Sequence, residues 1–392
     1  MQLQKINIQG IGGIEELEID FLPGLNLICG PNGIGKTTIL ECIVEGFSGS
    51  ATSSLKRNKN FESGNCDISY FSDFDQYHHY SIQNYEPNEL PLHRMVDEHI
   101  SKKIIYFKSE RTFSYTNIDS IKRDTERSNY DYKRVATAGI KFDDFKSWFI
   151  NRFLFSGHDD MLSIAQKENL KLAIDCFGEL DPNVKFKNIK HSTLDIILSS
   201  PNGDIYFEYL SSGFKACLYI LHGLIKEVEF RFNDHDSIKL KDFDGIVLID
   251  ELDLHLHPQW QAKIVELLKK ILPNAQIIAT THSPHMIQVA EMNEIIPLSV
   301  QDNKVFLRKL PNLKYGFQGW TLEEILEDIM GLKNTHSQTY LNAMEEFEKA
   351  ISDDELEELR LSYNKIEEML HPNNPLRKVI KLQMAQMGER IN

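Results

Sequence analysis

Gly30-Pro31-Asn32-Gly33-Ile34-Gly35-Lys36-Thr37 fills every fixed position of the phosphate-binding loop pattern G-x-x-x-x-G-K-[ST]. The flanking sequence suits that reading. Leu25-Asn26-Leu27-Ile28-Cys29 reads as a short buried strand, and Thr38-Ile39-Leu40-Glu41-Cys42-Ile43-Val44 as the start of a helix. A glycine-rich turn feeding a helix N-terminus aims backbone N–H groups and the positive end of a helix dipole at one point, which favours a phosphate. Lys36 is then placed to reach the β- and γ-phosphates of ATP, and Thr37 to ligate Mg2+. Gly30, Pro31, Asn32, Gly33, Ile34, Gly35, Lys36, Thr37 and Thr38 are therefore the expected nucleotide-binding residues of the first motif.

Composition bounds what surrounds this loop. The chain has 392 residues, 41% of them hydrophobic, enough for a full core and more than one structural unit. A net charge of −15 suits a solubilising surface and argues against a broadly basic nucleic-acid coat, while permitting local basic grooves. Five cysteines are scattered without a C-x-x-C spacing, which points to reduced thiols and a cytoplasmic setting. Met1-Gln2-Leu3-Gln4-Lys5 opens directly into strand-like alternation, so neither a signal peptide nor a membrane partner is expected.

Three further motifs follow. Ile246-Val247-Leu248-Ile249-Asp250-Glu251 reads as a buried parallel strand that delivers two carboxylates to its C-terminal edge. Asp250 is expected to hold Mg2+ through water, and Glu251 to polarise the attacking water as general base. Leu210-Ser211-Ser212-Gly213-Phe214-Lys215 follows a hairpin-like stretch that turns at Pro201-Asn202-Gly203-Asp204. It precedes an amphipathic helix carrying Phe214, Cys217, Leu218, Leu221, Leu224 and Ile225. Small residues at a helix start expose N–H groups and suggest a second anion site, although an ordinary serine cap explains them alone. Ile277-Ile278-Ala279-Thr280-Thr281-His282-Ser283-Pro284 reads as another buried strand whose tip presents His282 to a γ-phosphate.

Taken in order, GPNGIGKT, LSSGFK, IVLIDELDLHLHP and TTHSP resemble an ABC-type ATPase head. The closest resemblance is to the OLD-like branch, which includes ATPases of Septu, PARIS and retron anti-phage modules. Residues 1–50 and 190–300 carry the specific matches. The resemblance implies an α/β fold: a P-loop head of the SMC and RecF kind, with a mixed sheet and no long coiled coil. It implies that Lys36, Asp250, Glu251 and His282 of one subunit face Ser211, Ser212 and Gly213 of another, with ATP between them. Asp253 takes the place where the family's D-loop crosses that interface. The motif departs from the common LSGGQ form: Ser212 replaces its first glycine and Phe214 its glutamine, which leaves its last polar contact open and is compatible with slow turnover. The family's glutamine lid over Mg2+ has two candidates, Gln76 and Gln83.

The domains expected are 1–50 as the first part of the head, 51–190 as an insert of strands then helices, 191–318 as the second part of the head, and 319–392 as a helical region for assembly or partner docking. The insert lacks a sustained heptad, against long coiled coils. Its strand-like pieces are Asp67 to Phe71, Tyr80 to Gln83 and Lys103 to Phe107. Lys108 to Arg134 interleaves Arg111, Lys122, Arg123, Arg127, Lys133 and Arg134 with Phe113, Tyr115, Tyr130 and Tyr132. That pattern suits DNA backbone contact. Glu110, Asp119, Asp124 and Glu126 support a plain solvated surface equally well, and Arg111 has a third option, the nucleotide phosphates. His255-Leu256-His257 lacks a completing ligand and reads as loop structure rather than a metal site. Thr321-Leu322-Glu323-Glu324 is a capping box opening the C-terminal helices. These are too short for the nuclease domain some OLD-like proteins carry, so no nuclease site is expected in this chain.

The function expected is an ATPase, turning ATP and water into ADP and phosphate. It pairs as a homodimer or higher homo-oligomer and controls a separate nuclease or other effector. The alternative is a RecF-like DNA-repair ATPase without such a partner. A transporter ATPase ranks last, and a nucleotide-gated scaffold without turnover stays open because of Phe214.

Overall fold

The computed structural model describes residues 1–49, 55–89, 98–111, 114–120, 124, 127–158, 160–232, 236–302, 304–311, 313–332 and 335–390. Phe113, Lys122, Arg123 and Glu126 lie outside them. The chain divides into two compact units, Met1–Gly331 and Leu332–Asn392.

The strands of the first unit are β1 (Gln2–Ile11), β2 (Ile14–Asp20), β3 (Leu25–Cys29), β4 (Gly64–Phe71), β5 (Asp75–Ile82), β6 (Ile104–Phe107), β7 (Lys185–Lys190), β8 (Asp195–Ser200), β9 (Gly203–Tyr206), β10 (Ile246–Ile249), β11 (Gln276–Thr281), β12 (Ile295–Gln301) and β13 (Lys304–Leu307). The central sheet has the order β13-β12-β3-β11-β10-β6. All its neighbours run parallel except the β12–β13 pair, which makes the sheet mixed. β2-β1-β4-β5 form a separate antiparallel sheet, and β7-β8-β9 a small third one.

The continuous apolar runs follow from burial of the central sheet on both faces. Successive side chains of a strand point to opposite faces. Ile105, Phe107, Val247, Ile249, Ile277 and Ala279 therefore pack with the helices Phe145–Phe155, Ile164–Leu180, Ser212–Arg231 and Pro258–Ile271. Ile104, Tyr106, Ile246, Leu248 and Ile278 pack on the other side, with the helix Lys36–Ser48 and the antiparallel sheet. The sheet is thus the middle of three layers. The strands of the insert are structural parts of the head: β4 and β5 extend the sheet begun by β1 and β2, while β6 forms an edge of the central sheet.

Register brings the motifs to one place. Ile249 lies opposite both Ala279 and Phe107, and Thr281 opposite Cys29. Four adjacent strands, β3, β11, β10 and β6, therefore end side by side at their carboxyl ends, where open α/β sheets bind ligands.

The helix Ser212–Arg231 buries charge as well as apolar surface. Glu227 pairs with Arg127 at 2.7 Å, Glu229 with Arg152 at 2.7 Å, and Lys226 with Asp144. Trp148 Nε1 donates to Glu229 at 2.9 Å. The second unit consists of helices Gln338–Ser352, Leu356–Met369 and Leu376–Arg390, packed on Phe347, Leu359, Ile366 and Ile380. Its boundary falls after Gly331 rather than at Gly319. The capping box at Thr321 forms, with Glu324 N donating to Thr321 Oγ1 at 3.2 Å. The turns it opens bury Ile325, Ile329 and Met330 in the main core and so belong to the first unit. No helix among the described residues is long and apolar enough to cross a membrane.

Candidate functional site

The phosphate loop leaves β3 at Cys29 and enters the helix Lys36–Ser48 directly. Two glycines are required by geometry. Gly30 has φ 144°, and a Cβ there would stand 2.6 Å from the Leu298 carbonyl oxygen; Gly35 holds φ 100° as the residue capping the helix. Such positive φ values are costly for side chains other than glycine. Ile34 is buried in the core and anchors the loop, whereas Asn32 and Gly33 are exposed and Pro31 and Thr38 half-buried. Lys36 is only 6% exposed. Its ammonium donates to the Gly30 and Pro31 carbonyls at 3.0 and 2.9 Å, which holds it across the loop. Burial lowers its pKa, against the raising influence of Cys29 and of Asp250, Asp253 and Glu251. Glycine-shaped backbone, a helix start and a cation converge here, and that donor set fits a triphosphate.

The acids stand beside it. Asp250, 4% exposed, accepts from Thr37 Oγ1 at 3.0 Å and from Thr280 Oγ1 at 2.7 Å. A threonine hydroxyl and a carboxylate in contact are hard oxygen ligands that fit Mg2+. Glu251 is half-buried and sits in the left-handed region at φ 49°. Its N–H donates to Thr280 Oγ1 at 2.6 Å, and its carbonyl accepts from Arg111 Nη2. Thr280 thus holds both acids with one hydroxyl. The motif reading passed over it, although its place one residue beyond Ala279, the register partner of Ile249, marks it once the strands are paired.

His282 follows β11 and is approached by the same groups. Burial lowers its pKa and Lys36 lowers it further, against Asp253 and Asp250, so the ring is neutral near pH 7. Asp253 turns inward: its Oδ1 accepts from His282 N at 2.9 Å and from Thr281 Oγ1 at 2.8 Å. It fixes the segment that carries His282.

In the LSSGFK segment, Ser211 caps the helix Ser212–Arg231, its Oγ accepting from Phe214 N at 3.3 Å. Ser211 and Ser212 are exposed, and no hydrogen bond joins Ser211, Ser212 or Gly213 to Gly30–Thr38 among the described residues. Phe214 points the other way. It is 3% exposed and meets Trp260 edge-to-face at 5.5 Å between ring centroids. Gly213 is needed for the same packing, since a Cβ there would lie 2.8 Å from both the His255 carbonyl oxygen and the Trp260 ring.

The structure corrects the glutamine lid. Gln76 is on β5, the outer strand of the antiparallel sheet, and Gln83 follows that strand. The strand that abuts Asp250 is β6, with Asp250 N donating to the Phe107 carbonyl at 2.8 Å. What leaves β6 there is the segment to Arg111, which is 2% exposed. Burial lowers the pKa of its guanidinium, against Asp250, Asp253 and Glu251, and such a group stays protonated.

Three residues of the basic and aromatic stretch are committed inside the fold. Arg111 lies at the acids, Arg127 is held by Glu227, and Tyr132 is buried with its hydroxyl donating to the Phe230 carbonyl at 3.0 Å. Tyr115 and Tyr130 are exposed, and Arg134 pairs with Asp131 at 3.2 Å. His257 caps the helix Pro258–Ile271, its Nδ1 accepting from Gln259 N at 3.4 Å. His255 takes φ 64° in the preceding turn, so His255-Leu256-His257 is loop structure.

Residues 25–287 match the family described as AAA domain, putative AbiEii toxin, Type IV TA system. The Septu protein PtuA of Bacillus thuringiensis is 54% identical over 392 residues, 99% of each chain. The retron Ec83 probable ATPase of Escherichia coli is 33% identical over 36% of this chain and 26% of its own. The SMC head domain from Thermotoga maritima aligns with 80% of this chain and all of its own, at 14% identity and a TM-score of 0.44. On the family match and the near full-length identity, this chain belongs to that AAA-domain family and, within it, to the group of the Septu protein PtuA.

Proposed function

We propose that this chain is the ATP-binding and ATP-hydrolysing subunit of an anti-phage module, that its copies pair head-to-tail around ATP, and that pairing controls a separate effector, a nuclease. One observation carries the nucleotide part. Lys36, Thr37, Asp250, Thr280 and Glu251 form a connected set at the carboxyl ends of adjacent parallel strands.

The chemistry follows from those positions. The loop N–H groups and Lys36 bind the phosphates and stabilise the negative charge that develops on the β–γ bridging oxygen as its bond to phosphorus breaks. Thr37 and, through water, Asp250 would hold Mg2+, which would supply positive charge to the phosphates. Glu251 accepts a proton from the attacking water. Asp253 orients His282, whose neutral ring donates a hydrogen bond to a γ-phosphate oxygen. Ser211, Ser212 and the helix start behind them are the polar groups a second copy offers to the same ATP. Their exposure supports that use. The burial of Phe214 supports reading the missing glutamine as a packing change. The effector rests on the Septu relationship.

Glu251→Gln tests the reading. ATP binding is expected to persist while turnover falls by about 10²–10⁴-fold, the usual weight of a general base. Paired copies are expected to accumulate with ATP, and the effector to copurify from the native host with the paired form. Full turnover in Glu251→Gln removes Glu251 as the base.

A further inference from the structure

Arg111 is placed among the catalytic groups and yet is only partly used by the protein. Its Nη2 donates to the carbonyl oxygen of Glu251. Its Nε and Nη1 are buried without a hydrogen-bond partner. A buried guanidinium leaves donors unmatched at a cost of the same order as a hydrogen bond to a charged group, so an arrangement that keeps two of them unmatched calls for an anionic acceptor. Of the carboxylates near it, Asp250 already accepts from Thr37 and Thr280 and Asp253 Oδ1 from Thr281 and His282, and neither these nor the Glu251 carboxylate accepts from Arg111. The backbone that Arg111 grips is the strained one, Glu251 at φ 49°. Arg111 comes from the segment after β6, which lies beside β10, with β10 and β11 between it and the phosphate loop's β3.

We propose that Arg111 binds the terminal phosphate of ATP, its Nε and Nη1 donating to γ-phosphoryl oxygens while Nη2 keeps the Glu251 carbonyl. This rests on the nucleotide reading above and deepens it. Arg111 does the work a glutamine lid would do, with a fixed charge in place of a neutral amide. It reports the γ-phosphate to the backbone of the general base and ties the insert to hydrolysis. A planar guanidinium suits this because it presents donors on several edges at once, which a lysine ammonium does not match.

The test is equilibrium binding of ATP and of ADP, each with Mg2+, to the full chain carrying Arg111→Ala, Arg111→Lys or Lys36→Ala. Thermal denaturation accompanies each variant. Arg111→Ala is expected to weaken ATP by about 10–100-fold, the usual weight of charge-assisted hydrogen bonds, and to leave ADP within about twofold. Arg111→Lys is expected to fall between wild type and Arg111→Ala. An equal loss for ATP and ADP, or no loss for either, overturns the proposal; if Arg111→Ala does not fold, the same ratio is read from Arg111→Lys. Lys36→Ala separates the two claims. It loses both nucleotides if the site is right, and if it keeps both, the nucleotide reading itself fails whatever Arg111 does.

Discussion

Thr280→Val removes a single oxygen from the centre of the site and is the sharpest test of its internal geometry. Thr280 is fully buried. Its hydroxyl donates to Asp250 at 2.7 Å and accepts from Glu251 N at 2.6 Å, and valine preserves its shape while deleting both bonds. An orphaned buried N–H costs about 1–3 kcal/mol, and a hydrogen bond to a carboxylate contributes about 1.5–3 kcal/mol. Asp250 keeps Thr37, so the combined loss is set at about 3 kcal/mol, which is up to about 10 °C in melting temperature for a large domain. The kinetic effect has a separate origin. A non-glycine residue in the left-handed region stores about 1–3 kcal/mol, tolerated only where the surroundings hold it. Without Thr280, Glu251 relaxes and its carboxylate moves; misplacement of that kind costs up to about 10²-fold in rate. Thermal denaturation and ATP turnover of Thr280→Val, with Thr280→Ser as the hydroxyl-retaining control, measure both. A valine variant that melts and turns over like wild type refutes the idea that one hydroxyl holds the two acids.

Three further outcomes are expected. Phe214→Gln, which restores the usual signature residue, is expected to lower stability by about 3 kcal/mol, since it trades a buried ring contact for a buried amide; an unchanged melt with faster turnover would show that Phe214 faces the nucleotide. His222 is fully buried, stacked on Phe145 at 4.7 Å, and burial pushes its pKa down to about 4. The unfolded chain therefore binds a proton from about pH 6.5 downward that the folded chain refuses. Stability falls as pH drops from 6.5 toward 4, by about 3 kcal/mol from this group. His222→Gln flattens that slope in denaturant titrations, and an identical slope assigns the acid loss elsewhere. Asp253→Ala is expected to slow turnover while sparing ADP affinity, because it frees the His282 segment; unchanged turnover removes its positioning role.

The parts of this site legible in the sequence are those where one short run of residues fixes the geometry. Gly30–Thr37 carries its own backbone shape, and Ile246–Glu251 carries a buried strand together with its polar tip. Resemblance added the order of the motifs and with it the fold. What was not legible depends on which strands become neighbours. Gln76 and Gln83 were candidates by chain order, but β4 pairs with β1 and β5 with β4, while β6 meets β10. Arg111 acquires meaning only through that second pairing, and Thr280 only through the register of β11 on β10. Phe214 looked like a change in the ligand contact because the motif is linear, whereas a helix start turns successive side chains to different sides. Arg127 read as part of a surface because its acidic partner, Glu227, lies far away in sequence.

The central claim is that neither copy alone surrounds the terminal phosphate. Mixing Lys36→Ala with Ser211→Arg tests it most directly. Each variant alone has only defective sites. In a mixed head-to-tail pair, one site joins the intact phosphate loop of the Ser211→Arg chain to the intact Ser211 of the Lys36→Ala chain. Turnover and ATP-dependent pairing are therefore expected to reappear on mixing, with one ATP held per mixed pair. A mixture no more active than the sum of the two variants, at concentrations where wild type pairs, contradicts the account.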